Sequence, residues 1–556
     1  MQKIWLKSYP AGVPAEIDPH EFSSLKALVE SSCARFAAHE AFLQMGRAMS
    51  YRELDDLSRG FAAWLQKSAG MRKGDRIAIM LPNVLQYPVA MLGALRAGLT
   101  VVNTNPLYTP RELEHQLADA GAETIVILEN FASVLQEVLP HTKLKHVLVT
   151  AVGDFLKFPK SWIVNYVVRH RRKQVPPWRI EGALDFKSVV IAGRALSLDP
   201  VDVTHADIAF LQYTGGTTGV AKGAVLTHRN MVANVLQGRA WFQFGLTSDS
   251  TYVVALPLYH IFSLTANLLL FMTIGARGLL IVNPRDFAGF LQELQKYPPH
   301  FFMGVNTLFN ALMNTPGFDA VDWSGLKGTV GGGMAVQGAV AERWKEKTAC
   351  VLSQGWGLTE TSPIACMNPL RDTDFNGSIG LPVSSTEISI RDDDGRALAI
   401  GAIGEICVRG PQVMREYWKR PDETAKVMLP EGWLRTGDIG RMDERGFVFI
   451  EDRKKDMILV SGFNVYPNEV ESVAVTHPGV LEAAAVAQPD ERAGEVVALF
   501  VVRKDPNLTE KDVIEHARKA LTRYKVPKKV YFRTELPKTN VGKILRRALR
   551  DELPRS

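Results

Sequence analysis

The chain has 556 residues, 46% of them hydrophobic and 22% charged, with a formal net charge of +6. That length exceeds what one hydrophobic core organises, so two or more subdomains plus a smaller unit are expected, and the composition is that of a folded soluble protein. A charge this small for the size does not call for nucleic acid, and four scattered cysteines with no Cys-x-x-Cys pair argue against a zinc site or a disulfide framework and fit a reducing cytoplasm.

The N-terminal MQKIWLKSYPAGVP lacks the unbroken apolar core of a secretory leader. The longest apolar segment, residues 261–275, is interrupted by Ser263, Thr265 and Asn267, so no transmembrane helix is expected. From residue 50 onward, strand-like and helix-like segments alternate. Leu54, Leu57, Phe61 and Leu65 fall at helical spacing, residues 76–81 (RIAIML) read as a buried strand, and residues 88–98 read as a helix closed by Gly98. The strand TVVN follows, and Thr109, Pro110 and Glu112 then compose a capping box with proline at the first helical position, opening a helix that runs to Gly121 before the strand TIVIL. This alternation predicts a mostly parallel sheet wrapped by helices.

Between residues 155 and 179 the texture changes: Trp162, Ile163, Tyr166, Val167 and Trp178 are interleaved with seven Lys or Arg and no acid. Such a segment suits an anionic membrane surface, and equally a solvated basic insertion packed by its aromatics. Single-stranded nucleic acid is a third and weaker reading.

The stretch LQYTGGTTGVAKGAV, residues 211–225, is entered by an apolar run and left by LTHRN, a helix start. Gly215, Gly216 and Gly219 let backbone N–H groups turn toward an anion, Thr214, Thr217 and Thr218 supply hydroxyl donors, and Lys222 supplies a mobile positive charge. These are the parts of a phosphate-binding turn joining a strand to a helix. It is not a Walker loop, because Lys222 lies between Ala221 and Gly223 and is not followed by Ser or Thr. Further strands and helices follow, with a second glycine cluster at Gly331, Gly332 and Gly333. From Ser384 shorter strands and turns predict a small β-rich subdomain, and beyond Lys455 the pattern is that of a compact α+β domain.

The turn resembles the phosphate loop of the adenylate-forming superfamily, with Gly215 where that family usually has serine and Ala221 where it has proline, a variant similar to that of bacterial long-chain fatty acyl-CoA synthetases. Four further stretches carry the resemblance, in family order: GWGLTE at 355–360, WLRTGDIG at 433–440, DRKKDMILVSGFNVYPNEVE at 452–471 and PKTNVGKILRR at 537–547. PLYHIFS at 257–263 adds an aromatic-histidine pair. The resemblance implies an α/β fold: a large N-terminal region of layered α/β subdomains with a small β-rich subdomain, residues 1–452, followed by a mobile α+β C-terminal domain, residues 453–556.

By the same resemblance the cofactors are ATP, Mg²⁺ and coenzyme A, and the substrate is a long-chain fatty acid. Trp356 would stack on adenine beside Gly357 and the Gly331–Gly333 cluster, Thr359 would meet the α-phosphate, and Glu360 would hold Mg²⁺. Asp438 would bind the ribose hydroxyls, Arg453 ribose or phosphate, and His260 the acyl and phosphate pocket without acting as a general base. Lys455 would be the hinge about which the C-terminal domain turns, presenting Lys543 to the first half-reaction and the Ser461, Gly462 and Phe463 face to the second. The catalytic set is Lys543, Lys222, Glu360 and His260. Medium-chain or aryl acyl-CoA ligases, a fatty acyl-AMP ligase and a silent nucleotide- or lipid-binding protein stay open as alternatives. So does oligomeric state, a homodimer included. A cytoplasmic enzyme peripheral on the inner membrane face is the expected location.

Overall fold

The computed structural model describes residues 3–214, 221–242, 245–370, 374–490, 493–539 and 541–553. Short apolar runs such as TIVIL (Thr124–Leu128) and TVVN (Thr100–Asn103) form strands that are buried throughout. Helices cover them on both faces, so no side of the strand meets water and the sequence is continuously apolar rather than alternating.

These strands assemble into two large sheets. The first has seven strands in the order Leu184–Asp185, His146–Thr150, Thr124–Leu128, Arg76–Met80, Thr100–Asn103, Ile208–Thr214 and Lys222–Thr227, parallel except for the last pair. The second has nine, with a parallel centre running Leu352–Gly357, Gly328–Gly331, Phe301–Gly304, Thr251–Val254, Arg277–Leu280 and Glu40–Gln44, and antiparallel strands at both ends. The connecting helices end where the residue types dictate. Helix Pro110–Ala120 opens on the reciprocal Thr109–Glu112 capping box and closes on Gly121 in the left-handed conformation.

A third sheet, antiparallel, is built from Glu387–Arg391, Gly404–Arg409, Trp433–Met442, Met428–Leu429 and Val448–Arg453. The chain leaves it at Arg453 and enters a fourth sheet at Ile458–Val460, which also holds Phe463–Val465, Val480–Asp490, Gly494–Arg503 and Lys529–Arg533. Helices Pro467–Ala474, Glu510–Ala520 and Arg546–Asp551 complete this C-terminal α+β unit. The layered α/β fold class is as expected.

One local expectation changes. Beyond the phosphate turn the chain does not enter a helix directly; Lys222–Thr227 returns as a strand antiparallel to Ile208–Thr214, and the helix His228–Trp241 begins only where Thr227 and Asn230 cap it reciprocally. The run KGAVLT pairs because its apolar positions complete the buried sheet, and helix formation waits for the cap. The apolar segment after Pro257 forms one buried helical stretch, a π-type portion Ser263–Leu269 followed by Leu270–Met272. Among the described residues no helix is long and apolar enough to cross a membrane.

Candidate functional site

In parallel sheets the strand ends leave a crevice at the carboxyl edge, where ligands bind. A cleft of about 1610 Å³ lies along that edge of both large sheets, lined by Asn103, Thr214, Met303, Val330 and Trp356 from strand ends, and closed from the far side by Lys543 and its neighbours from the C-terminal unit.

At one end stands Lys222, directly opposite Thr214 across the strand pair. Its ammonium is ion-paired to Glu423 and lies 5.1 Å from the centroid of the Tyr417 ring. The Tyr417 hydroxyl donates to Glu360 Oε1 at 2.7 Å, so one tyrosine stands between the lysine and the carboxylate. The strand is held in place by residues 415–418, which lie beside it: Val225 N–H donates to Glu416 O at 2.9 Å and Trp418 N–H to Gly223 O at 2.7 Å. Asp119 secures the same corner, accepting from the Tyr213 hydroxyl at 2.6 Å and from Arg420 at 3.0 Å. Gly215, Gly216, Thr217, Thr218 and Gly219, the heart of the expected phosphate turn, lie outside the described residues.

The middle of the cleft is formed by GWGLTE. Gly357 approaches the backbone so closely that a Cβ there would sit 1.6 Å from Pro363 O, which makes glycine obligatory at that position. Thr359 and Glu360 follow in a single 3₁₀ turn facing the cleft. Trp356 donates its indole N–H to Asp438 Oδ2 at 2.9 Å, and the Arg453 guanidinium lies 3.4 Å from the other oxygen of that carboxylate. Asp438, only 5% exposed, and Arg453 are also register partners in the third sheet, so the pair is set by strand pairing before any ligand arrives.

Of the second glycine cluster, Gly332 and Gly333 line the cleft, packed against the Phe262 ring and Lys543 respectively, whereas Gly331 is buried against Val336 behind it. Gly462 lies outside the cleft, in the exposed turn between strands Ile458–Val460 and Phe463–Val465.

The C-terminal contribution is Lys543. Its side chain runs along Gly333, close enough that a Cβ on that glycine would lie 3.4 Å from Lys543 Cε. The loop is braced from within, since Thr539 N–H donates to Lys543 O at 2.7 Å and Lys543 N–H to Thr539 Oγ1 at 3.1 Å. Gly542 makes the entry: its φ of +82° belongs to the left-handed region, and its carbonyl accepts from Thr307 Oγ1 at 3.0 Å. A second contact, Asn310 Nδ2 to Leu481 O at 3.2 Å, fastens the C-terminal unit to helix Asn306–Met313.

The Lys543 ammonium is lowered to about 8, chiefly by desolvation and further by Arg453 and Lys455, with Asp438 and Glu360 opposing them. His260 is lowered to about 3, first by desolvation and then by Lys543. It is therefore a neutral imidazole at physiological pH, and its Nδ1 accepts the Phe262 N–H at 3.3 Å. With Nδ1 engaged in its own turn, this neutral imidazole lines the cleft.

Around Lys455 lies a network of charges that sequence reasoning did not single out. Arg546 makes a two-toothed pair with Glu471 at 2.8 and 2.9 Å and reaches toward Asp452 and Asp456; Arg550 lies 3.3 Å from Asp456. Asp452 also accepts the Asn468 N–H at 2.9 Å. Residues 452–456, which flank Lys455, are thereby clamped to helices Pro467–Ala474 and Arg546–Asp551. Among the described residues no cluster of three or more His, Cys, Asp or Glu could hold a metal. A magnesium ion held by Glu360 would draw its other ligands from nucleotide phosphates and water, which is the usual habit of that ion.

Comparison with known proteins agrees with this geometry. Residues 29–418 match the family model described as AMP-binding enzyme, and residues 469–543 the one described as AMP-binding enzyme C-terminal domain. A long-chain-fatty-acid–CoA ligase of Yersinia pestis is 55% identical over 99% of this chain and 98% of its own. Among solved structures, the anthranilate CoA ligase AuaEII in complex with anthranoyl-AMP superposes with a TM-score of 0.85 at 25% identity, over 96% of this chain and 98% of that one. ATP-bound MatB from Rhodopseudomonas palustris superposes at 0.81 and 26%, over 95% and 98%.

The Lys543 environment yields a pH dependence. If the ammonium form is the working form, kcat/KM for ATP in pyrophosphate exchange falls as pH rises through about 8, and Lys543→Arg, which stays charged, moves the fall to higher pH. A profile that is flat from pH 7 to 9.5 in the unmodified enzyme would remove this role.

Proposed function

The chain belongs to the AMP-binding enzyme family, and on that premise we propose that it activates a long-chain fatty acid with ATP and then transfers the acyl group to coenzyme A. In the first half-reaction a carboxylate oxygen attacks the α-phosphorus of ATP; the bond to the bridging oxygen breaks, leaving acyl-adenylate and pyrophosphate. In the second, the coenzyme A thiolate attacks the acyl carbon and AMP departs. The obstacle in the first step is the approach of an anion to a polyanion, so preorganised positive charge does most of the work and no protein nucleophile is needed.

The observation that carries this reading is the position of Lys543: an ammonium from the C-terminal unit packed against Gly333, in the cleft that also contains Glu360, Asp438 and Arg453. There it neutralises charge developing at the α-phosphate, Lys222 takes the departing phosphates, and Glu360 would hold Mg²⁺, whose charge would screen the polyphosphate. Asp438 and Arg453 take the ribose and Trp356 the adenine. Trp356 and Arg453 already touch Asp438 and so keep that carboxylate oriented. The apolar side chains of Ala266, Met303, Val330, Ile364, Met367 and Ile379, which line the same cleft, suit an alkyl chain. A panel of fatty acids from short to long, scored by coenzyme A-dependent AMP release, tests the substrate; preference for an aryl or short acid would overturn it.

We assign the units as residues 1–452 and 453–556, with Lys455 as the pivot; the change of sheet between Arg453 and Ile458 supports the division. The cleft as described suits the first half-reaction, and a turn about Lys455 would bring the exposed Ser461, Gly462 and Phe463 turn to it for the second. Lys543→Ala is expected to abolish adenylation while largely sparing thioester formation from supplied acyl-adenylate, and Lys455→Pro to do the reverse. Equal loss of both half-reactions in each variant would sink the two-orientation scheme.

Residues 155–179 are proposed as a peripheral membrane contact. Helix Lys160–Tyr166 and the turn after it leave Phe158 84% and Trp162 63% exposed, with Ile163 and Tyr166 beside them and Lys160, Arg171 and Arg172 nearby in sequence. Exposed aromatics next to basic residues are the composition that partitions into an anionic interface. Replacing Phe158, Trp162, Ile163 and Tyr166 together by serine is expected to reduce sedimentation with anionic liposomes while sparing activity on soluble substrate. Unchanged sedimentation would leave the segment as a packed insertion.

A further inference from the structure

We infer that Glu423 is a built-in competitor for the nucleotide phosphates, exchanging its hold on the cleft lysines with ATP on binding and recovering it as pyrophosphate departs. This rests on the assignment of Lys222 to the leaving phosphates. The Glu423 carboxylate is fully engaged: Oε2 is ion-paired to Lys222 and Oε1 to Lys426, and both lysines line the cleft. A carboxylate between two ammonium groups occupies the same electrostatic niche as a phosphate oxygen, with a smaller charge.

The placement is architectural. Glu423 lies on helix Pro421–Val427, and the next residue, Thr424, ties that helix to the segment 415–418 that lies beside the Lys222 strand: its hydroxyl accepts the Tyr417 N–H at 2.9 Å and donates to Arg420 O, at the start of the helix, at 2.8 Å. Arg420 in turn is held by Asp119, the same carboxylate that holds Tyr213 on the strand entering the phosphate turn. The other charged groups facing the pair are Glu360, reached through Tyr417, and Asp422 on the same helix turn. Glu423 is therefore presented to Lys222 by backbone and side-chain bonds from three directions.

The consequence is a two-way effect on binding. A lysine already paired must release its partner before it grips a phosphate, which weakens ATP binding. The same carboxylate is at hand to reclaim the lysine when the bond to the α-phosphorus breaks, which favours loss of pyrophosphate. Because the pair is partly exposed, each effect is modest, about two- to fivefold.

Steady-state kinetics on the full chain tests this. Glu423→Gln, nearly isosteric, should lower KM for ATP and the inhibition constant of pyrophosphate by about two- to fivefold each, leave KM for the fatty acid unchanged, and be partly reversed in Glu423→Asp. Asp422→Asn removes the same charge from the same helix turn and should change neither constant. In a Lys222→Met background the effect of Glu423→Gln should shrink, because the coupling runs through that lysine. An unchanged or raised KM for ATP in Glu423→Gln overturns the proposal, as does an equal gain from Asp422→Asn. If Lys222→Met itself leaves ATP and pyrophosphate binding unaltered, the assignment of Lys222 fails and the proposal with it; if Lys222→Met weakens both while Glu423→Gln alters neither, the proposal alone fails.

Discussion

An ammonium group carried by one folded unit into a cleft of another is the constraint on which the rest of the arrangement depends. Taking Lys543 out of water disfavours its charge, and Arg453 and Lys455 disfavour it further. Asp438 and Glu360 offset part of this. The position is kept because several uncharged features hold the backbone there: the left-handed Gly542, the Thr307 hydroxyl on its carbonyl, the Thr539 brace, and the absence of a side chain on Gly333. A lysine held by its backbone in a site that only partly satisfies its charge is poised for a polyanion.

The two large sheets contribute in different ways. The seven-stranded sheet delivers the end of the cleft proposed for the phosphates, because its last antiparallel strand begins at Lys222 and is braced by residues 415–418. The nine-stranded sheet delivers the walls proposed for the adenine and the acyl chain, because its parallel strands stop together at Gly304, Gly331 and Gly357. Tyr417 joins the two regions through its ring near Lys222 and its hydroxyl on Glu360. The single carboxylate proposed for Mg²⁺ is thus positioned by the residue that also faces the phosphate lysine.

Much of this was legible in the amino-acid order, and what was not follows a physical rule. The Thr109–Glu112 capping box, the Gly121 stop and the buried strands TVVN and TIVIL are local patterns whose partners lie within one turn or one strand, and the structure has them as read. The strand beginning at Lys222 was missed because KGAVLT is apolar enough for either element, and its strand partner lies across the phosphate turn. GWGLTE and TGDIG were recognisable as motifs. That Trp356 and Asp438 bond to each other was not, since 82 residues separate them. Asp119, Glu423, Gly542 and the Arg546 network were overlooked for the same reason: each acts through a partner distant in sequence, and an isolated acid or glycine carries no periodic signal. Gly331 was grouped with its neighbours by composition, although only Gly332 and Gly333 face the cleft.

The pairing of Asp438 with Arg453 has a geometric implication. Arg453 is the last residue of its strand, Lys454 N–H still bonds Gly437 O at 3.0 Å, and Lys455 follows at once. The corner proposed for the sugar therefore adjoins the axle of the proposed swing. In a rotation, displacement grows with distance from the axis, so the same turn that carries a lysine out of the cleft barely disturbs the two residues nearest the pivot. On that proposal the enzyme would change tools while keeping its grip on the nucleoside, and a reactive intermediate tethered to that nucleoside would not be set loose between the two halves of the reaction.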